Sequence, residues 1–244
     1  MKTGIFVRGT TNIKGLMAGV DTLNARGAIE TNWLLIESPV GLGKTKALQW
    51  YSVQNNAVIV RAKAIWTPNS MLKDICEAMD IAPKYRASAM YDQIVTEAVS
   101  RSQVKPFELI VDEIDHALRD DKVIETLRDL TDIAQISLII GGMRGVRQKL
   151  KRHQAVYRRI VDVVEFVPAS IADTRLLCTE LSDVEIDDDL VLRIHRETCG
   201  KYDDTLNAIA RIEIASRRNR GATITPKMVE HVPLAKDGKN RRAA

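Results

Sequence analysis

The 244-residue sequence contains no apolar run of the roughly 18 residues that a membrane-crossing helix requires. Its opening, MKTGIFVRGTTNIKG, has neither the apolar centre nor the small-residue cleavage site of a secretory leader, so a cytoplasmic location is expected. Cysteine is scarce. Cys76, Cys178 and Cys199 stand far apart and make no C-x-x-C pair, which argues against a disulfide framework or a zinc site and leaves reduced thiols. No internal repeat is visible.

What is present suits a compact α/β protein. A hydrophobic share of 45% beside 28% charged residues is enough for a core, in one large domain or a medium one with a small appendage. The formal charge of +4 is unevenly placed. RGVRQKLKRHQAVYRR (144–159) is basic and holds no acid, and RRNRG (217–221) and the tail KDGKNRRAA (236–244) are basic as well. Such clusters serve either a polyanion such as nucleic acid or simply a solvated face.

Five short apolar runs read as strands: WLLIE (33–37), AVIVR (57–61), FELIVD (107–112), ISLIIG (136–141) and VVEFV (163–167). Near-continuous apolar runs suit strands buried on both faces of a parallel sheet. Helical stripes alternate with them. Ile13, Leu16, Val20 and Leu23 form one, Met71, Ile75 and Met79 another, and Val123, Leu127, Leu130 and Ala134 a third. After Pro168 the strands stop. SIAD (170–173) has capping-box spacing and opens a helix through Leu181, and DLVLRIHRETCG runs to a stop at Gly200. Leu206, Ile209 and Ile212 share a helical face, and Thr225 with Pro226 reads as one more helix start. The expected division is an α/β domain over 1–167, an all-helical part over 168–235 and a basic tail over 236–244.

ESPVGLGKTKAL (37–48) follows the first strand and departs by one residue from the phosphate-loop pattern G-x-x-x-x-G-K-[ST], with Ser38 at the first glycine. The chemistry needs backbone N–H groups curled around phosphate, a lysine for its charge and a hydroxyl for Mg²⁺. Gly41 and Gly43 offer the permissive backbone, and Lys44 and Thr45 the charge and hydroxyl at a helix start. The first position mainly opens the loop, a turn that serine followed by Pro39 can make. LIVDEID (109–115) ends an apolar strand in Asp112 and Glu113, where one carboxylate can hold Mg²⁺ and the next can act on water. The two elements together describe a site for ATP and its hydrolysis.

GLGKT, LIVDEID, the strand SLIIGG and the helical end resemble a P-loop ATPase of the AAA+ class. Within that class the layout is similar to the DNA-transposition ATPases of Mu-like phages and Tn7-type elements. The likeness lies in TTN (10–12) before the leading helix, in VIVRAKAIWTPNSMLKDICEAM (58–79) and in RRIVDVVEFVPAS (158–170). It covers nearly the whole chain and implies a five-stranded parallel P-loop sheet covered by helices and followed by a small helical lid.

The resemblance also implies roles. Thr11 and Asn12 would lie near the adenine. Ser38, Pro39, Val40, Gly41, Leu42, Gly43, Lys44, Thr45 and Lys46 would surround the phosphates. Thr45 and Asp112 would hold Mg²⁺, Glu113 would polarise water, and Arg159 would be the trans arginine finger, with Arg158 in reserve. Such proteins form ATP-dependent filaments or rings of like subunits on duplex DNA in the bacterial host cell and recruit a transposase. No helix-turn-helix stands out, so DNA contact is expected through backbone-reading basic groups. The candidates are Arg61 and Lys63 after the second strand, Arg144, Arg147, Lys149, Lys151 and Arg152 after the fourth, and Lys239, Arg241 and Arg242 in the tail. Trp66 and His116 are expected to be structural. Gly141 and Gly142 stand where a polar sensor is usual, and GKYD (200–203) places Asp203 where the lid usually offers arginine, with Lys201 nearby. Both departures predict slow turnover. Two further readings stay open: a helicase loader or replication initiator of the same class, and a nucleotide-held module that never turns over. No aromatic–glycine loop marks a protein-threading motor.

Overall fold

The computed structural model describes residues 2, 4–217 and 222–235; the basic stretch 218–221 and the tail, with Lys239, Arg241 and Arg242, lie outside the described residues. Contacts divide the chain into two units, one of residues 15–39 and 44–166 and one of residues 1–14, 40–43 and 167–244.

The first unit is a parallel sheet. Its strands are β1 (Trp33–Ser38), β2 (Val58–Arg61), β3 (Glu108–Asp112), β4 (Ser137–Met143) and β5 (Ile160–Glu165), in the order β2-β3-β4-β1-β5. Every pairing is parallel, with Ile36 beside Gly141 and Arg61 beside Asp112. The middle strands are buried along nearly their whole length, which is why they read as unbroken apolar runs. The last strand begins three residues earlier than its apolar pattern suggests. Trp33 N–H donates to the Arg159 carbonyl at 2.8 Å and starts the β1–β5 ladder there, and Glu165, not Val167, closes the strand.

Helices cover the sheet. They are α1 (Thr11–Asn24), which enters this unit from residue 15, α2 (Lys44–Asn55), α3 (Pro68–Ala78), α4 (Ala87–Ser102), α5 (Asp121–Ala134), and the short α6 (Val146–Leu150) and α7 (Gln154–Tyr157). The stripes Leu16, Val20, Leu23 and Val123, Leu127, Leu130 are buried. Thr67 caps α3 reciprocally with Ser70, and Pro68 opens it. Among the described residues no helix is long and apolar enough to cross a membrane.

The second unit is helical, with α8 (Ile171–Leu181), α9 (Asp188–Thr198) and α10 (Tyr202–Ala215). Leu177, Leu190, Ile194, Ile209 and Ile212 are buried together in its core. Cys199 (φ 51°) and Gly200 (φ 68°) both turn left-handed and end α9, and a side chain at 200 would meet the Ala169 backbone. The expected helix after Thr225 is a single 3₁₀ turn, Pro226–Val229, and Thr225 makes no side-chain cap bond. The leading residues belong with this unit, not with the sheet as the sequence division had it. Val7 packs into the helical core, and Lys2 N–H donates to the Leu181 carbonyl at 2.9 Å.

Asp173 ties these parts together. Its carboxylate accepts from Ser170 N–H at 3.0 Å, completing the capping box, and from Thr11 N–H at 2.9 Å. Burial pushes this carboxyl's pKa up, but the bonds from Ser170 and Thr11 outweigh it and leave the value below the ordinary one. A depressed folded pKa adds stability above the unfolded value, and that stability disappears as pH falls through the folded one. Asp173→Ala is therefore expected to cost about 1–2 kcal/mol at pH 7. In urea melts the gap from wild type should close as pH drops below about 4; a gap constant with pH would mean that the charge is not involved.

Candidate nucleotide-binding site

The loop after β1 is shaped by two glycines. Gly41 (φ 84°) and Gly43 (φ 83°) hold left-handed backbone, and Lys44 opens α2 directly afterwards. Ser38, at the position that departs from the pattern, is 2% exposed, and its hydroxyl turns back to the Pro39 carbonyl at 2.7 Å. Of the remaining loop side chains Val40 projects into solvent, Leu42 is buried and Lys46 is exposed.

In the sheet unit the strand ends bring three functional groups together. Lys44 Nζ pairs with Asp112 Oδ1, and Thr45 Oγ1 donates to Asp112 Oδ2 at 2.6 Å. Asp112 is only 2% exposed, so these bonds offset the cost of burying its charge. Glu113 sits in left-handed backbone (φ 56°) and gives its N–H to Asp112 Oδ1 at 2.9 Å. Its own carboxylate is held by Arg61 Nη2 at 2.5 Å, with His116 Nε2 3.6 Å from the other oxygen. The ladder that sets Arg61 beside Asp112 brings Arg61 within reach of Glu113. A hydroxyl and a carboxylate are hard oxygen donors, which suits Mg²⁺, an ion that takes few protein ligands and completes its shell with phosphate and water. The residues present fit a magnesium nucleotide.

Gly141 explains the absent polar sensor. A Cβ there would lie 2.7 Å from Leu48 Cδ1, 2.9 Å from Asp112 Oδ1 and 3.2 Å from Lys44 Nζ. At Gly142 it would lie 2.6 Å from Val146 Cγ1. The Lys44–Asp112 pair occupies the space that a side chain would need. Gly141→Ala is expected to destabilise the protein by about 1–3 kcal/mol through overpacking. A urea melt unchanged from wild type would show that Leu48 and Lys44 have room to yield.

The helical unit holds the residues expected near the adenine, engaged in ways the sequence does not disclose. The Asn12 amide makes a reciprocal pair with Val167, donating to its carbonyl at 2.9 Å and accepting its N–H at 3.0 Å. Asn12 is thus an anchor for the backbone, while Thr11 is exposed. Within the same unit the Thr10 and Tyr202 hydroxyls are buried and interact with each other.

The basic candidates fall at the carboxyl edge of the sheet and are unequal. Arg61 pairs with Glu113, Lys63 with Asp74 at 2.7 Å, and Lys149 with Asp115 at 2.8 Å. Asp115, which the sequence reading passed over, also accepts Met143 N–H at 2.7 Å. Arg147 reaches Tyr157 Oη at 3.4 Å, and Lys151 lies over the Tyr157 ring, 5.9 Å from its centre. Arg144 and Arg152 are exposed without a side-chain partner among the described residues. Trp66 is packed, its indole N–H on Asp74 at 2.6 Å. Arg159 is occupied: its guanidinium binds Asp132 at 2.7 Å and the Ala155 carbonyl at 2.9 Å. Arg158 is exposed and has no ion pair among the described residues.

Comparison with known proteins agrees with this geometry. A protein-family profile described as "AAA domain" matches residues 30–150, the stretch from β1 through α6. That stretch, just under half of the chain, is similar to an AAA domain. Beyond it, the whole fold is that of AAA+ P-loop proteins. The Orc1 protein of Aeropyrum pernix, solved in complex with DNA, is 17% identical with a TM-score of 0.62, covering 91% of this chain and 64% of that one. Cdc6p of Pyrobaculum aerophilum is 14% identical with a TM-score of 0.68, covering 94% and 68%. Thermotoga maritima RuvB, a Holliday junction branch migration motor, is 16% identical with a TM-score of 0.58, covering 92% and 70%. The chain thus spans about two thirds of the length of each. No curated protein matches it by sequence. The matched stretch takes in β1, the loop, α2 and the acidic end of β3.

Proposed function

We propose that this protein is an ATP-dependent, DNA-binding ATPase that assembles on duplex DNA without reading its sequence and there recruits or activates a transposase. The ion pair between Arg61 and Glu113 carries this reading, because it joins a candidate DNA contact to a candidate catalytic group. Bound MgATP supplies the phosphoryl group and the metal's neutralising charge. With it bound, Lys44 would give its charge to phosphate instead of Asp112, and Thr45 and Asp112 would hold the metal. Glu113 can accept the proton of an attacking water only when Arg61 is drawn away. Arg61 is well exposed, its side chain 68% accessible, and a DNA phosphate is the kind of partner that would draw it. Turnover would therefore rise on DNA. Arg158, exposed where Arg159 is engaged, is the better candidate for a finger supplied to a neighbouring subunit. The transposase partner rests on the sequence resemblance alone.

The DNA contact is tested by salt. Affinity should fall with a log–log slope of about −0.9 for each phosphate neutralised, and unrelated duplexes should bind alike. Strong discrimination between duplexes at fixed salt would sink the nonspecific reading and favour a replication initiator, the second reading, which the fold shared with the DNA-bound Orc1 structure supports.

A further inference from the structure

Helix α10 opens on Lys201-Tyr202-Asp203-Asp204, and within the helical unit this opening lies on the crown of the phosphate loop, residues 40–43. Asp203 N–H donates to the Gly41 carbonyl at 3.3 Å. Its Oδ2 lies 3.7 Å from the point where a Cβ on Gly41 would stand, and the Tyr202 ring lies 3.8 Å from the corresponding point on Gly43. Asp203 is exposed and makes no ion pair among the described residues. A carboxylate with no ion pair among the described residues thus stands at a loop whose two glycines hold the left-handed backbone that suits anion-binding loops.

We propose, building on the nucleotide reading above, that Asp203 is a specificity determinant that opposes the triphosphate more than the diphosphate and so biases the site toward the product nucleotide. The cause is charge. A triphosphate brings more negative charge to the loop than a diphosphate, and a like charge standing at that loop repels it in proportion. The main-chain bond to Gly41 does not depend on the side chain. Asp203→Asn therefore removes the charge and leaves the tether in place. Asp204, one residue on and partly buried, carries the same charge but lies more than 4 Å from the point where a Cβ on Gly41 would stand, which makes Asp204→Asn the matched control.

The experiment is calorimetric titration of the full chain with Mg²⁺ and either ADP or the non-hydrolysable analogue AMP-PNP. Wild type should bind ADP more tightly than AMP-PNP. Asp203→Asn should tighten AMP-PNP about tenfold and ADP by clearly less, as expected for one like-charge contact near the surface. Asp204→Asn should leave the ratio near that of wild type, and thermal melts of all three should nearly coincide. Equal tightening of both nucleotides, no change in either, or the same shift from Asp204→Asn would each overturn the role of Asp203. In those cases the nucleotide site itself would stand, provided Lys44→Ala loses both ligands. Failure of wild type to bind either nucleotide would overturn both readings.

Discussion

Lys44→Ala is expected to abolish measurable nucleotide binding at ordinary concentrations and to weaken the fold at the same time. Lys44 is the loop's cation at the start of α2, and a hydrogen bond to a charged partner is worth about 1.5–3 kcal/mol, or roughly ten- to a hundredfold in affinity. The same side chain neutralises Asp112, whose side chain is 3% exposed. Removing it leaves a buried carboxylate supported, among the described residues, by the Thr45 hydroxyl and the Glu113 N–H. Breaking a buried ion pair from one side costs about 3–5 kcal/mol, so a lost titration signal could reflect damage instead of a lost contact. The double variant Lys44→Ala/Asp112→Asn separates the two. It should regain most of the thermal stability, because the orphaned charge is gone, and should still fail to bind. Lys44→Ala binding as well as wild type, or binding that returns in the double variant, would remove Lys44 from the site.

The same pair shows which parts of the site the sequence discloses. Lys44, Thr45 and Asp112 are legible because a phosphate loop and a strand-end acid are local patterns, each a few residues long. The strands are legible because burial on both faces leaves unbroken apolar runs, as in LLI of β1 and LIV of β3. Helix α4 is not, although Met90, Ile94 and Ala98 are buried four apart. Its stripe is thin, and Arg86 at its start makes no side-chain cap bond. What escapes the sequence most completely is the set of long side chains bridging distant segments. Arg61 finds Glu113 across 52 positions and Arg159 finds Asp132 across 27, each by adjacency that exists only once the chain has folded. Gly141 belongs with these: in the sequence it marks a missing sensor, and in the structure it makes room for Lys44 and Asp112. The affiliation of the first residues with the helical unit also depends on tertiary bonds, those of Thr11 to Asp173 and Asn12 to Val167.

Arg158→Ala and Arg159→Ala should have opposite signatures, and the contrast tests assembly and chemistry together. Arg159 is bonded to Asp132 and to the Ala155 carbonyl, so its loss should lower thermal stability and leave Asp132 without its cation. Arg158 is exposed, so its loss should leave the melt and the nucleotide affinity of isolated subunits unchanged. If Arg158 is the finger given to a neighbour, DNA-stimulated hydrolysis should fall by on the order of 10³-fold, the worth of such an arginine in phosphoryl transfer. The decisive measurement mixes Arg158→Ala with Glu113→Gln, which should bind nucleotide and assemble but cannot accept the water's proton. At a mixed interface the Glu113→Gln subunit supplies Arg158 to a neighbour whose own Lys44, Asp112 and Glu113 are intact. Hydrolysis should therefore return to a fraction of wild type set by how often such interfaces form. A mixture that assembles on DNA yet stays inactive would assign Arg158 to its own subunit or to no catalytic role. Loss of activity in Arg159→Ala with an unchanged melt would instead give the finger back to Arg159, released from Asp132 when subunits meet.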